Sequence, residues 1–212
     1  MQIKSDTTRN EILKKIAEAK KIRKDFSAIQ PDWDANIYKE IDGSLEECFA
    51  RELAAVNGNA IFCNSENEVF EKIKILLAEK NISQLFCRTT EIAEKLTQHN
   101  IVFSANEADF LLTEAGITFC EVLVARTGSV MVSAAHEAGR QMNVFPPIHI
   151  VLARHSQIVP YLSDALVFMQ KKYGKNLPSA ITNITGPSRT ADIEKTLILG
   201  AHGPKEFYAL IY

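Results

Sequence analysis

The sequence has little of several things that would assign it to a large class at once. Cysteine is scarce: Cys48, Cys63, Cys87 and Cys120 stand singly among 212 residues, with no C-x-x-C pair and no histidine at ligand spacing. That pattern argues against a zinc or iron–sulfur ligand set within the chain and fits four small buried side chains. No apolar run approaches the ~20 residues that a membrane helix needs, so no membrane insertion is expected. The opening stretch, MQIKSDTTRNEILKKIAEAKK, is charged throughout and lacks the apolar region of an export signal. The expected location is therefore the cytoplasm, where thiols stay reduced. Charge of one sign is also lacking: the net charge of −2 gives no case for nucleic acid or a membrane surface as partner. Flavin and nicotinamide motifs are missing as well, so no cofactor is expected in this chain.

What is present is ordinary for a globular α/β chain, with 46% hydrophobic and 24% charged residues. The first thirty residues differ from the rest, carrying eight Lys or Arg against four Asp or Glu. Within them Ile12, Ile16 and Ala19 recur at helical spacing among lysines, which predicts an amphipathic helix that stops before Pro31. Residues 1–43 thus form a helical appendage and 44–212 the main domain. From residue 44 helical stretches alternate with short apolar runs. SLEECFARELAAVNG is followed by NAIFCN, and SENEVFEKIKILLAEK, with its S-x-x-E capping box at Ser65 and Glu68, by SQLFC. TTEIAEKLTQHN, with a threonine cap, leads to IVFS. Such alternation predicts βαβ units and a parallel sheet. After residue 120 the pattern changes: EVLVARTGSVMVSA reads as two strands joined by a tight turn. PPIHIVLAR, SAITNIT, LILG and FYALIY add further strands, and 157–174 a helix entered at Pro160 and stopped by Gly174. The fold class is α/β, a mostly parallel sheet flanked by helices with an antiparallel C-terminal part.

Three loops carry the residue types of an anion site. In TGPSRTADIE, Gly186 and Pro187 shape a turn, and Ser188 and Thr190 offer hydroxyls to a helix start. Arg189 suits a carboxylate or phosphate, and Asp192 or Glu194 suits proton transfer. A capped helix start with an internal Arg–Asp pair explains the same residues equally well. In RTGS, Arg126, Thr127, Gly128 and Ser129 present two hydroxyls and an open amide, although a hairpin turn needs the glycine for its own sake. His136 and Arg140, in the segment after it, are placed to close over the same spot. In GAHGP, His202 sits between two glycines, Gly203 among them, and is the histidine best placed for catalysis. His149 reads as a sheet residue satisfied by a neighbour, and Glu114 as a surface acid. Ligands of open α/β sheets bind beyond the carboxyl ends of the strands, and each of the three loops follows a strand-like run. The expectation is one anion pocket there.

ITGPSRTADIE followed by LILGAHGP, with VARTGSVMVSA and PPIHIVLARHSQIVP upstream in that order, resembles the signature of the LUD, or lactate utilisation, domain family. The resemblance covers roughly residues 45–212, and the short, cysteine-poor chain is similar to the family's shorter members. It implies a fold like that of ribose-5-phosphate isomerase and the CoA-transferases. It also implies an operon setting in which two iron–sulfur lactate-utilisation proteins and this chain together support oxidation of L-lactate to pyruvate. Iron–sulfur clusters are then expected on the partners. The sequence departs at Arg126, where many relatives carry an acid. Three readings of function follow: a non-redox subunit or accessory factor of lactate oxidation, binding a small anionic metabolite; a stand-alone enzyme acting on a small phosphorylated or acyl/CoA metabolite; or a scaffold or regulatory protein. A homodimer stays open.

Overall fold

Helix boundaries in this chain are set largely by short polar side chains. Ser44 accepts from the Glu47 amide at 3.1 Å while the Glu47 carboxylate accepts from the Ser44 amide at 3.0 Å, a complete capping box that opens α2 (Leu45–Ala55). Ser65 likewise accepts from the amide of Glu68 at the start of α3 (Glu66–Glu79), but the Glu68 carboxylate reaches one residue further back, to Asn64. Thr89 precedes α4 (Thr90–Gln98) without the expected side-chain cap bond; the Thr90 amide is taken by Glu137 from a distant loop, at 2.6 Å. Asn57, Asn81 and Asn100 follow these three helices with φ of 65°, 53° and 55°, the left-handed turn that asparagine tolerates and that ends a helix. In α5 (Leu162–Tyr173) Asp164 caps the Tyr161 amide at 3.0 Å, and Gly174 stops the helix with φ 56°.

The computed structural model describes residues 3–21, 32, 35, 40–190 and 198–212. The chain divides into two compact units, Met1–Lys39 and Glu40–Tyr212. The first contains α1 (Ile3–Lys21), the N-terminal helix that the sequence predicts, with Ile12, Leu13 and Ile16 exposed. Its expected stop before Pro31 lies outside the described residues.

The second unit is built on a six-stranded, wholly parallel sheet. Its strands are β1 (Asn59–Phe62), β2 (Leu85–Phe86), β3 (Phe103–Ser104), β4 (Ala115–Phe119), β7 (Ile148–Ala153) and β12 (Glu206–Ile211), ordered β1-β12-β7-β4-β2-β3. A four-stranded sheet, ordered β8-β5-β6-β9, joins β5 (Val122–Val124), β6 (Ser129–Ser133), β8 (Ile158–Val159) and β9 (Ile181–Ile184). The β5–β6 and β6–β9 pairs are antiparallel, as is the hairpin of β10 (Arg189–Thr190) with β11 (Ile198–Leu199). The fold is thus the expected α/β arrangement. Its antiparallel pairs occupy 122–199, and the closing strand β12 returns to the parallel sheet.

Period-two alternation divides the core. Along β12, Tyr208 and Leu210 face the cluster under α3 and α4, while Phe207, Ala209 and Ile211 face α2 and the second sheet. β7 does the same with Ile150 and Leu152 against Val151 and Ala153. The outer face of the four-stranded sheet is covered by Ala165 and Met169 of α5. Fully buried side chains such as Phe49, Phe70 and Phe207 each contribute about 1.5–3 kcal/mol relative to exposure. All four cysteines are buried and free, as expected. His149 is a buried sheet residue, bonded through Nε2 to Thr118 Oγ1 at 2.9 Å and edge-on to Phe207. Burial pushes its pKa down to about 3. Glu114 accepts from Ser83 and from the Gln84 amide, three bonds that hold its carboxyl below the usual range.

Candidate active site at the carboxyl edge

Where β4 ends, Cys120 and Glu121 carry the chain from the parallel sheet to the second sheet. Glu121 is 1% exposed, yet it is well supplied with donors. Its carboxylate accepts from Ser133 Oγ, from Tyr173 Oη at 2.6 Å and from Lys172 Nζ at 2.7 Å, and His136 Nε2 lies 3.1 Å from Oε1. Burial alone would raise the carboxyl, but the His136, Lys172, Ser133 and Tyr173 contacts outweigh it and hold it well below the ordinary carboxylate range. Glu121 is therefore an ionised, buried anchor. Beside it, burial and the Glu121 charge push the Cys120 thiol up to about 12, so it stays protonated.

Above this anchor opens a cavity of about 250 Å³ whose lining includes Glu91, Cys120, His136, Arg154, Ser156 and Lys172. Arg154 directly follows β7, and its backbone amide is bonded to Gln157 Oε1 at 2.7 Å. The Gln157 carboxamide in turn donates to the carbonyls of Cys120 and Glu121, at 3.0 and 3.1 Å, tying the end of β7 to the crossover. The loop that carries His136 is fastened on two sides. Glu137 binds the first turn of α4, and Arg88 reaches the Ala138 carbonyl and Gln141 while pairing with Glu107 and lying 4.4 Å from the Phe110 ring centre. The cavity thus sits beyond the carboxyl ends of β4 and β7, where α/β sheets place their ligands. Arginine, lysine and histidine line it together with the exposed carboxylate of Glu91, so cationic side chains outnumber acidic ones around the space. Among the described residues no group of histidine, cysteine and acidic side chains is placed to hold a metal.

Of the residues singled out from sequence, His136 lines this cavity and those of the three loops lie elsewhere. The three loops do gather, but at the amino edge of the parallel sheet. The reason is topological: 200–204 leads into β12, and Lys205 donates its amide to Pro147, just before β7. Arg126 and Thr127 form a single 3-10 turn, with the Arg126 amide bonded to Pro160 O. Gly128 has φ 56°, and a Cβ there would stand 2.1 Å from the Leu53 nitrogen of α2. Ser129 Oγ donates to Thr127 Oγ1 and lies 2.8 Å from Thr185 Oγ1. Gly186 has φ 72°, and a Cβ would meet Val56 O at 2.6 Å; Pro187 beside it is buried. The Ser188 amide bonds to Pro204 O, the Gly200 amide to Ser188 O, and Gly203 lies against the Ser188 side chain. Arg189 and Thr190 are strand residues of β10, and His202 is exposed. Asp192 and Glu194 lie outside the described residues. His136 is not beside RTGS but at the far end of β6, over Glu121. Glu121, Arg154 and Lys172 are not among the residues singled out from sequence. One signal was available for Glu121: it is the lone charge in the apolar run FCEVLVA.

Comparison with known proteins places the fold and the family. Lactate utilization protein C of Bacillus velezensis is 40% identical over 99 residues, covering 45% of this chain and 41% of that protein. The protein of the same name from Geobacillus kaustophilus is 29% identical over 188 residues, covering 86% and 73%. The matches to the first curated relatives span about two fifths of those proteins' length. A crystal structure of a duf162 family protein from Deinococcus radiodurans superposes with a TM-score of 0.60 at 18% identity, over 80% of this chain and 99% of that one. The LUD domain family matches residues 45–212, which take in both sheets, the cavity and the signature hairpin, and the chain belongs to that family.

Proposed function

We propose that this chain serves lactate utilisation as an anion-binding component that works with iron–sulfur partner proteins. The observation that carries the reading is the carboxyl-edge cavity, where Arg154, Lys172 and His136 surround a space of about 250 Å³ above an ionised Glu121. A space of that size lies below the roughly 300–1,000 Å³ of sites for drug-sized ligands, so it suits a small acid better than a nucleotide or a CoA ester. Support for the process comes from relatives named lactate utilization protein C, one of which is aligned over 86% of this chain. Oxidation of lactate to pyruvate releases two electrons, and in this reading they pass to the partners' clusters while this chain holds and orients the carboxylate.

Growth on L-lactate tests the role. Deletion should abolish it, restored by the wild-type gene and not by Arg154→Ala. Tagged protein purified from lactate-grown cells should bring down iron–sulfur absorbance and lactate-dependent dye reduction. Unchanged growth in a strain with no second copy would overturn the proposal. The basic lining also suits a small phosphorylated metabolite, the second reading; protection against thermal unfolding by inorganic phosphate but not by L-lactate would favour it.

A further inference from the structure

Among the described residues, the buried side-chain polar atoms without a hydrogen-bond partner are Thr89 Oγ1, His136 Nε2 and His149 Nδ1. His149 lies in the core, but the other two flank a single contact, the 2.6 Å bond from the Thr90 amide to Glu137 Oε2. Thr89 directly precedes Thr90, and His136 directly precedes Glu137. Folded proteins leave few such atoms unmatched, and a pair of them at one contact marks a place that a second arrangement satisfies better. Thr89 shows what that arrangement is. It stands at the N-cap of α4 with the extended backbone of a cap, φ −83° and ψ 116°, yet its hydroxyl is unused and the residue is 7% exposed. A capping threonine accepts from the second or third helical amide. Those amides belong to Glu91 and Ile92, and neither has an acceptor among the described residues. The segment that carries Glu137 is equally ready to leave. Its flanks are fixed, on one side by the Ala135 amide on Ser133 Oγ and on the other by Ala138, buried with Phe86, Phe110 and Met142. Between them, His136 Nε2 makes no hydrogen bond although it lies 3.1 Å from Glu121 Oε1. We infer that residues 136–137 form a flap on the carboxyl-edge cavity, latched by Glu137 on the start of α4, and that the Thr89 hydroxyl takes over as helix cap when the flap opens.

The flap is part of the cavity wall. His136 lines the space, and so does Glu91, the residue after the latched Thr90. With the flap shut, the imidazole stands beside Glu121, which is 1% exposed. With the flap open, that cover is gone and the negative charge of Glu121 faces the space, so anions bind the latched form. This coupling rests on the reading of the cavity as an anion site; the exchange of caps does not. Each form supplies the start of α4 with one acceptor, Glu137 in one and Thr89 in the other. The two forms are therefore close in energy, and a ligand that prefers one of them shifts the balance.

Amide hydrogen exchange of the full chain, followed by NMR at Thr90, Glu91 and Ile92, tests this. Glu137→Ala should lower protection at Thr90 and raise it at Glu91 or Ile92 by about five-fold, the worth of one helix cap. Thr89→Val keeps the shape of the side chain and removes the hydroxyl, so it should leave protection at Thr90 unchanged or higher. In the double variant the gain at Glu91 and Ile92 should vanish, and the urea midpoint should fall by more than the two single shifts together. Saturating inorganic phosphate or L-lactate should raise protection at Thr90 in the wild-type chain and have no such effect in Glu137→Ala. If Glu137→Ala leaves Glu91 and Ile92 as they were, or if the two shifts simply add, the caps do not exchange and the inference is overturned. If the caps exchange while both anions leave Thr90 unchanged, the flap stands and its link to an anion is overturned. Titration calorimetry with the same two anions then shows whether either binds, which separates that result from failure of the anion site itself.

Discussion

The two edges of the parallel sheet contrast in how they use polar residues. At the amino edge, glycines and hydroxyls are dense, and most of their capacity is spent on the protein itself. Gly128 and Gly186 lie against Leu53 and Val56 of the same helix region, where any side chain would enter α2 or its end, and the Ser188 amide and carbonyl are both bonded within the loop cluster. At the carboxyl edge, polar residues are sparse in sequence and convergent in space: Glu121, Ser133, His136, Lys172 and Tyr173 come from three separate segments. A glycine-rich motif therefore signals close approach of backbone, and the approaching group here is a helix.

The largest expected effect comes from removing the anchor of the carboxyl edge. Glu121→Ala strands the buried Ser133 hydroxyl and the half-buried Tyr173 hydroxyl and unpairs Lys172 and His136, and should cost about 3–5 kcal/mol in urea denaturation along with anion affinity. Because the folded-state pKa of Glu121 is depressed, its contribution is complete above the ordinary value of 4.5 and is lost as the pH falls below that. Gly128→Ala is the counterpart at the amino edge. The new Cβ would collide with α2 backbone at a positive φ, for a loss of about 3 kcal/mol, but the folded fraction should bind anions normally. If affinity falls with Gly128→Ala at full folding, the two edges are not independent.

A smaller effect comes from His149, which belongs to the core between them. Its pKa is lowered to about 3 by burial, so the unfolded chain binds a proton that the folded chain refuses once the pH drops below 6.5. Stability should fall between pH 6.5 and pH 4.5, by up to about 1.4 kcal/mol per pH unit, before Glu121 begins to contribute. His149→Gln should flatten that slope, which denaturation midpoints at half-unit pH steps would show.

Much of the fold was legible because local signals agreed with the tertiary arrangement. Ser65 and Glu68 mark a helix start, Pro160 and Gly174 bound α5, and the alternation of helix and strand predicts the parallel sheet. The failure at Thr89 is instructive: its cap arrives from Glu137, 48 positions away, and no local pattern reveals that. The proposed site was hidden for the same reason. Arg154 and Lys172 look like ordinary surface charges until β7 and α5 bring them to one cavity. The loops around Gly128, Gly186 and His202 do come together, but strand direction decides which edge a loop occupies. GAHGP precedes β12 in the sheet rather than following one of its strands.

The smallest expected effect is the sharpest test of the contrast. Arg189 has the chemistry of an anion anchor and stands in the most distinctive motif of the chain, yet it is an exposed residue of the β10–β11 hairpin. Exposed substitutions away from caps, cores and networks usually change stability by less than about 0.5 kcal/mol. Arg189→Ala should therefore leave the denaturation midpoint and the affinity for L-lactate essentially unchanged, while Arg154→Ala lowers affinity at least ten-fold at similar stability. The reverse result, affinity lost with Arg189 and kept without Arg154, would move the ligand to the amino edge. The glycines there would then hold the hairpin in place for a ligand as well as accommodate α2. Measuring both variants by calorimetry with one acid separates the alternatives, because the two arginines sit at opposite ends of the strands.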